Sequence, residues 1–214
     1  MSLYVVTGTD TGVGKTYVTA RLIESLRCAG VDAIGLKPLE TGWDEPRSDA
    51  QQLAVASGRS IGSTVWRHYR LPAAPAVAAA AEGQRVDAQE LITWLHRQAA
   101  GHEVCLVEGA GGWMVPVSDD LLFSHLVQRM EAAGVLVVGA SRLGTINHTL
   151  LTAEAVSRDS SLLAIAISTY PDEGTAASNR AQIAAHTSVP VHLVPAELDR
   201  LTSMFHVEHR SHGR

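Results

Sequence analysis

A lysine and a threonine that follow a run of small residues near the amino terminus form a pattern suited to phosphate chemistry. Residues 8–16 have the sequence GTDTGVGKT, between a short apolar strand pattern and a helical pattern. Glycines let backbone N–H groups face phosphate oxygens, and the start of a helix adds partial positive charge. Lys15 is expected to reach the β- and γ-phosphates and Thr16 to hold Mg²⁺. Although Gly8 stands one residue too early for the strict motif, this context predicts a phosphate-binding loop.

A carboxylate on another predicted strand could complete that site. Glu108 ends the apolar run 104–107 and precedes the Gly-rich residues 109–112. Ligands of open α/β sheets bind at the carboxyl ends of the strands, so this side chain is expected beside the phosphate loop. A carboxylate there can bind Mg²⁺ directly or through water. The competing interpretation is a strand-end glutamate that faces solvent.

Lys37 is expected at the same edge of the sheet. It precedes Pro38, which is predicted to close the second strand and to fix the turn that aims the lysine. Thr41 follows within reach. Asp49 opens a predicted helix behind Ser48, where it is either a metal ligand or an ordinary first-turn acid.

The two lysines are distinctive in this composition. Of 17 basic residues, only Lys15 and Lys37 are lysines, and the other 15 are arginines. A genome that favours arginine explains the chain at large. The positions where lysine is kept are nevertheless those that need a compact ammonium group and not a planar guanidinium.

The elements that position these residues alternate along the chain. Apolar runs predict parallel strands covered on both faces, and helical patterns lie between them, so the fold class is α/β with helices on both faces of a mostly parallel sheet, like that of P-loop NTPases. Strands are predicted at 3–7, 33–36, 104–107, 135–138, 162–167 and 189–194, and helices at 15–27, from Asp49, and around 87–99, 121–133, 146–157 and 175–186.

The domain organisation is predicted to be simple. Residues 1–205 form one P-loop domain, in which the irregular region 43–85 is an insertion that lines the site. Residues 206–214 are polar, contain three histidines and are expected to be a flexible tail.

Composition excludes several classes of function. The net charge of −5 and the lack of a basic cluster argue against nucleic-acid binding. No apolar run approaches the roughly 20 residues of a membrane span, and no signal-peptide pattern precedes the first strand. Cys28 and Cys105 form no ligand spacing, which favours a reduced, cytoplasmic setting.

Five segments in register resemble the motifs of the dethiobiotin synthetases. They are GTDTGVGKT at 8–16, LKPLETG at 36–42, SDA at 48–50, LVEGAGGW at 106–113 and GTINHTLLTAE at 144–154. The resemblance implies an ATP- and Mg²⁺-dependent cyclo-ligase of biotin biosynthesis. It would convert 7,8-diaminononanoate and CO₂, supplied with bicarbonate, into dethiobiotin through a carbamate and a carbamic-phosphoric anhydride, releasing ADP and phosphate. Family members are similar in being homodimers with the substrate site at the interface.

The resemblance also implies roles for particular residues. Lys37, Lys15 and Thr11 would be catalytic, and Thr16, Asp49 and Glu108 would hold Mg²⁺. The substrate would contact Thr41 and, from the other subunit, Gly144, Thr145, Ile146 and Asn147. The nucleotide would lie against Gly12, Val13, Gly14, Lys15, Thr16, Tyr17, Asp49, Glu108, Gly109, Ala110, Gly111, Thr169, Pro195, Ala196 and Glu197.

One position departs from the family pattern. Related sequences usually carry an Asn-Asp pair after the strand that matches 162–167, and the Asn recognises adenine. Here Thr169 follows Ser168, and a threonine has no amide to pair with the base. The sequence therefore predicts relaxed selectivity among nucleoside triphosphates.

Two alternatives remain at this stage. An ATP-dependent amide-forming synthetase of the corrinoid-amidating type shares this loop, but such chains usually add a glutaminase with a nucleophilic Cys, and neither cysteine lies on a nucleophile turn. A ParA/MinD-like switch ATPase would place a second Lys early in the loop, and none precedes Lys15. Diamine-dependent ATP turnover separates a synthetase of this type from both.

Overall fold

The structure of the chain, a computed structural model, describes residues 1–44, 47–169 and 174–211, the last six as backbone alone. The strands are β1 (Ser2–Gly8), β2 (Ala33–Thr41), β3 (Val65–Tyr69), β4 (Val104–Gly112), β5 (Pro116–Ser118), β6 (Leu121–Leu122), β7 (Gly134–Ala140), β8 (Leu162–Ser168) and β9 (Val191–Val194). The helices are α1 (Lys15–Cys28), α2 (Asp49–Ser57), α3 (Pro75–Ala81), α4 (Ala88–Ala99), α5 (Phe123–Arg129), α6 (Thr145–Asp159), α7 (Ala176–Ala184) and α8 (Leu198–Ser211).

The main sheet is parallel throughout. In the described ranges its seven strands follow the order β3-β2-β4-β1-β7-β8-β9, and β5 and β6 form a small antiparallel pair. Every neighbouring pair of the main sheet is parallel, because the chain returns through a helical crossover between neighbours. The predicted α/β class, with a P-loop NTPase-like sheet, is confirmed.

Alternation along the strands divides the interior into two cores, one on each face of the sheet. In β1, Leu3 and Val5 pack into one core, and Tyr4 and Val6 pack into the other. All four are at most 4% exposed. Burying a side chain of this kind contributes about 1.5–3 kcal/mol, so the central strand is held firmly from both faces. The loop that follows β1 therefore leaves a rigid base.

The second strand is longer than the sequence predicted, and the prediction that Pro38 turns the chain was wrong. β2 pairs with β4 over residues 33–36 and then with β3 from Lys37 onwards. The Lys37 N–H donates to the Thr64 carbonyl at 2.8 Å on the β3 side. The nitrogen of Pro38 therefore faces the other side, where the pairing with β4 has already ended. A proline without an N–H is tolerated at such a position.

The region 43–85 is more regular than an insertion. It supplies α2, the edge strand β3 and α3, and only part of it lines the site. β3 was missed because its Trp66, Arg67 and His68 do not alternate between apolar and polar residues. An edge strand that faces solvent does not require that alternation.

Three other predicted boundaries moved. β4 runs on to Gly112, so Glu108 lies inside the strand and not at its end. The helix expected at 121–133 starts as β6 and becomes helical only at Phe123. α8 continues to Ser211, so the expected tail begins within a helix, and residues 212–214 lie outside the described part.

Within the described part of the chain, none of the helices combines the length and the apolar character that crossing a bilayer requires.

Candidate active site

The phosphate loop depends on two glycines in left-handed backbone conformations. Gly12 has φ 70° and Gly14 has φ 92°, values that side chains with a Cβ rarely adopt. At Gly14 a Cβ would also lie 2.6 Å from the Ser168 hydroxyl oxygen. Gly14 precedes α1, and no side chain caps that helix. The first N–H groups of α1 are therefore available to an anion.

Lys15 lies across the loop that precedes it. Its Nζ donates to the Asp10 carbonyl at 2.8 Å, and the residue is 6% exposed. A Cβ on Gly8 would lie 3.0 Å from this Nζ, so the glycine that breaks the usual motif leaves room for the lysine. Burial, followed by the positive charge of Lys37, lowers the Lys15 pKa to about 8. The ammonium group is thus poised to gain from a negatively charged ligand.

Lys37 is fully inside the protein and paired with two carboxylates. Its Nζ lies 2.5 Å from Glu108 Oε1 and 2.7 Å from Asp49 Oδ2. Burial alone would lower the pKa of Lys37, but the charges of Glu108 and Asp49 outweigh it and raise the pKa above the ordinary value. Burial alone would raise the pKa of Asp49, but the charge of Lys37 outweighs burial and lowers that pKa. Lys37 and Asp49 are therefore both charged at neutral pH.

Three side chains with oxygen donors for a cation, those of Thr16, Asp49 and Glu108, lie beside this lysine. The Thr16 hydroxyl donates to Glu108 Oε1 at 2.8 Å. The Asp49 carboxylate is linked to Glu108 by Lys37, whose Nζ donates to both. Glu108 is 0% exposed, and among the described residues its Oε2 has no hydrogen-bond partner. A buried carboxylate oxygen without a partner is costly, and a hard cation removes that cost. The donor set fits Mg²⁺, which takes one or two carboxylates together with substrate phosphate and water.

In the described ranges, no three His, Cys, Asp or Glu side chains form a group that could hold a metal ion.

Eleven of the predicted residues line one cleft of about 730 Å³, a size typical of small-molecule sites. Its charged side comes from the loop, β2 and α2, and an apolar wall faces it. The predicted residues on its surface are Thr11, Gly12, Gly14, Lys15, Thr16, Tyr17, Lys37, Thr41, Asp49, Ala110 and Gly111. Sequence reasoning did not name Glu40 or Val115, and it included Pro72, Ala73, Ala74 and Pro75 only as part of the region 43–85 that was expected to line the site.

Three predicted residues support the cleft from behind. Val13 is buried in the core under α1. Glu108 lies beneath Lys37, and the Gly109 carbonyl accepts from the Lys37 Nζ at 3.3 Å. A Cβ on Gly109 would lie 2.6 Å from the Phe123 ring, so this glycine allows β4 to pack against α5.

Glu40 could have been noticed from its place two residues beyond Pro38, but nothing in the local pattern distinguishes it from a solvent-facing acid. It is 6% exposed, and burial raises its pKa above the ordinary value. Residues 72–75 belong to the region 43–85 that was expected to line the site, but no pattern singled them out, because two prolines and two alanines are equally typical of a surface loop.

Comparison with known proteins agrees with this geometry. The family model described as "AAA domain" matches residues 3–203. The ATP-dependent dethiobiotin synthetase BioD of Anaeromyxobacter sp. (strain Fw109-5) is 39% identical, over 98% of this chain and 89% of its own. The synthetase of the same name from Akkermansia muciniphila is 36% identical, over 89% of this chain and 90% of its own.

The chain belongs to the dethiobiotin synthetase family. That family consists of ATP-dependent synthetases, so the chain is an enzyme of the ligase class. A solved structure of the signal recognition particle receptor FtsY from Elizabethkingia anophelis has a TM-score of 0.55 at 17% identity, over 97% of this chain and 65% of that one. At that identity the likeness concerns the fold alone.

The segment that the family resemblance assigns to substrate lies away from the cleft of the same chain. Gly144, with φ 90°, precedes α6, and Thr145 is buried at 4% exposure. Ile146 packs against the core, while Asn147 is exposed. The adjacent Leu143 is fully exposed. Contact of this segment with substrate across a dimer stays a prediction.

The residues expected near the nucleotide base also lie outside the cleft. The Thr169 hydroxyl donates to the Val194 carbonyl at 3.1 Å, so it is already engaged within the protein. Glu197 accepts from the Leu193 N–H at 2.9 Å and pairs with Arg180 and Arg200. Pro195 and Ala196 lie between these groups in the sequence, and residues 170–173 lie outside the described part. The base contacts stay predictions.

Proposed function

We propose that this enzyme closes a cyclic urea on 7,8-diaminononanoate, with CO₂ and ATP, to give dethiobiotin, ADP and phosphate. One observation carries the proposal. Lys15, Lys37 and the Glu108–Asp49 carboxylates gather at one rim of the sheet, directly beside a phosphate loop. Relatives that share most of the chain are named for this synthesis.

The chemistry requires three bonds to form in sequence. One amine attacks CO₂ and loses a proton, which gives a carbamate. A carbamate oxygen then attacks the γ-phosphorus of ATP, and ADP leaves. The second amine finally attacks the carbamate carbon, and phosphate leaves with the former carbamate oxygen as the ureido ring closes. Negative charge grows on carbamate and phosphoryl oxygens, so fixed cations at these oxygens lower the barrier.

The two lysines are suited to that task. Lys37 remains an ammonium at neutral pH because its pKa is raised, and its place is fixed by contacts on two sides. Lys15, at the end of the phosphate loop, lines the same charged side of the cleft. Groups held in place before the reaction need no reorganisation during it. Thr11, at the mouth of the loop, would contact the substrate or the phosphates.

Thr16, Asp49 and Glu108 would hold Mg²⁺ together with the nucleotide. When bound, the ion neutralises charge on the terminal phosphates. The protein's own contribution is a Glu108 Oε2 that has no partner among the described residues, and an Asp49 held on the first turn of α2.

The apolar wall supports an aliphatic substrate. Pro72, Pro75 and Val115 line the same cleft as the two lysines, and so does Thr41. The wall can bury the carbon chain while the amines face the lysines. We further propose a homodimer in which Gly144–Asn147 of the other subunit hold the carboxylate tail at a helix start, and a cytoplasmic location.

The corrinoid-amidating and ParA/MinD-like alternatives stay open in one respect, because both also use a phosphate loop. Neither is favoured by a specific feature of this cleft. ATP turnover that requires both diamine and bicarbonate would exclude them.

Mass spectrometry of the product tests the proposal. Incubation with diaminononanoate, ¹³C-bicarbonate, Mg²⁺ and ATP should yield dethiobiotin with one added ¹³C. Lys37→Ala should lower the rate by at least about 10²-fold, as loss of one charge-stabilising donor does elsewhere. Circular dichroism serves as the control for folding. A Lys37→Ala protein with near-wild-type turnover, or a wild type that makes no labelled ring, would contradict the proposal.

A further inference from the structure

Glu40 is a buried carboxylate on the same strand as Lys37, and the proposed reaction leaves it without a role. It lies on the wall of the cleft and is 6% exposed. Its oxygens accept from backbone groups of the facing helix. Oε1 takes the Asp49 N–H at 2.7 Å, and Oε2 takes the Ala50 N–H at 2.9 Å.

These contacts complete the start of α2. The first N–H groups of a helix have no partners inside it. Here Glu40 accepts the first two, and the Ser48 hydroxyl accepts the Gln51 N–H at 3.1 Å. A carboxylate at a helix start is favoured by the helix dipole, and hydrogen bonds to a charged acceptor are stronger than neutral ones. The helix is therefore capped by two side chains, of which only one belongs to its own segment.

One strand thus fixes Asp49 at two points. Glu40 holds its backbone N–H, and Lys37 holds its carboxylate at 2.7 Å. The far end of α2 is tied to the same strand, since the Gly35 N–H donates to the Ser57 hydroxyl at 2.9 Å. The position of Asp49 is therefore set by the hydrogen bonds between β2 and α2.

We propose that Glu40 is a positioning residue that fixes Asp49 for a divalent cation. The inference rests on the proposed function, which assigns Asp49 to the metal. Glu40 also adds a third carboxylate to a cluster with two ammonium groups, so its charge alone could favour a cation. Positioning of Asp49 depends on the length of the Glu40 side chain as well as on its charge, whereas simple attraction of a cation depends mainly on the charge. A variant that keeps the charge but is shorter therefore separates the two effects.

The test compares three variants by Mn²⁺ binding in the presence of ADP, followed by electron paramagnetic resonance. Glu40→Gln removes the charge, and Glu40→Asp keeps the charge but shortens the reach. Both should weaken Mn²⁺ binding by about tenfold, as loss of a group that orients a ligand does at other metal sites. Ser48→Ala, the matched control at the same helix start, should leave Mn²⁺ binding unchanged within about twofold.

Amide hydrogen exchange supplies a readout that needs no metal. In the wild type, the amides of Asp49 and Ala50 should be protected although they begin a helix. Both Glu40 variants should make these two amides exchange faster. Ser48→Ala should act on the Gln51 amide instead.

The outcomes separate the inference from the function beneath it. The positioning role is overturned if Glu40→Asp binds Mn²⁺ with wild-type affinity. It is also overturned if the Asp49 and Ala50 amides of the wild type are not protected from exchange. The second result decides the question even if neither Glu40 variant folds. Asp49→Asn should itself weaken Mn²⁺ binding. If only Asp49→Asn does so, the positioning role is wrong and the metal assignment stands. If Asp49→Asn binds normally, the metal assignment fails and the positioning role with it.

Discussion

Two glutamates, Glu108 and Glu197, each contact positively charged side chains at the carboxyl ends of the sheet, yet they have different surroundings. Glu108 shares one oxygen between Lys37 and Thr16 and keeps the other, buried and without a described partner. Glu197 uses both oxygens, one on Arg200 and one on Arg180 and the Leu193 N–H. A carboxylate with every acceptor engaged holds the fold. One with a buried acceptor left over has capacity for a ligand.

The largest effect is expected at Glu108. Glu108→Gln keeps the shape but removes the charge that Lys37 and a cation share, so turnover should fall by about 10²-fold or more, in line with loss of a metal-site or charge-stabilising group. Steady-state kinetics over a range of Mg²⁺ concentrations measures this. A variant that needs no more Mg²⁺ than the wild type would show that the free oxygen is not a ligand.

The second prediction concerns the other glutamate's partner. Arg180 donates to the Val191 carbonyl at 2.9 Å and pairs with Glu197 at 3.3 Å. Because the pair is partly exposed, Arg180→Gln should lower the free energy of unfolding by only about 1 kcal/mol. Urea denaturation measures that loss. The KM for ATP should stay within about twofold of the wild-type value, since Arg180 lies outside the cleft. A large rise in that KM would show that the contacts of Glu197 are not purely structural.

The third prediction concerns pH and stability on the side of Glu197. His192 is 8% exposed, and its ring nitrogens have no partner among the described residues. Burial lowers its pKa from the ordinary 6.5. The unfolded chain therefore binds the proton more tightly, and stability is fully present above pH 6.5 and declines as the pH falls through the lowered pKa.

His192→Leu should remove that part of the decline. Thermal melts between pH 5 and 7 should show a smaller loss of stability on acidification than the wild type shows. Equal slopes for the two proteins would mean that His192 is protonated without cost in the folded state. Activity at pH 7.5 is the control for a native site.

The smallest effect is expected for the nucleotide base. Thr169 has no side-chain amide to pair with adenine. Its hydroxyl already donates to the Val194 carbonyl. GTP and CTP at saturation should support turnover within about threefold of that with ATP, because a site without a paired contact discriminates weakly. A loss of much more than tenfold with either nucleotide would show that other groups on this rim recognise the base.

The sequence predicted the parts of the site that follow from local pattern and sheet geometry. Apolar runs located the strands, and the rule that parallel strands carry ligands at their carboxyl ends brought Lys37 and Glu108 together before any coordinates. The prediction of a turn at Pro38 was wrong because the local rule for proline does not consider strand pairing. The pairing of β2 with β4 ends before Pro38, so the strand can continue through it. Glu40 was missed, and residues 72–75 were not singled out within the region 43–85 that was expected to line the site, because their roles arise only when β2 meets α2 and the loop packs across the cleft.

A crystal structure with Mg²⁺ and a non-hydrolysable ATP analogue tests the central claim most directly. The account predicts the γ-phosphate about 3 Å from Lys15 Nζ, Lys37 Nζ on the side where a carbamate would lie, and the ion on Thr16 and Glu108. A terminal phosphate bound away from Lys37, or an ion without contact to Glu108, would contradict it.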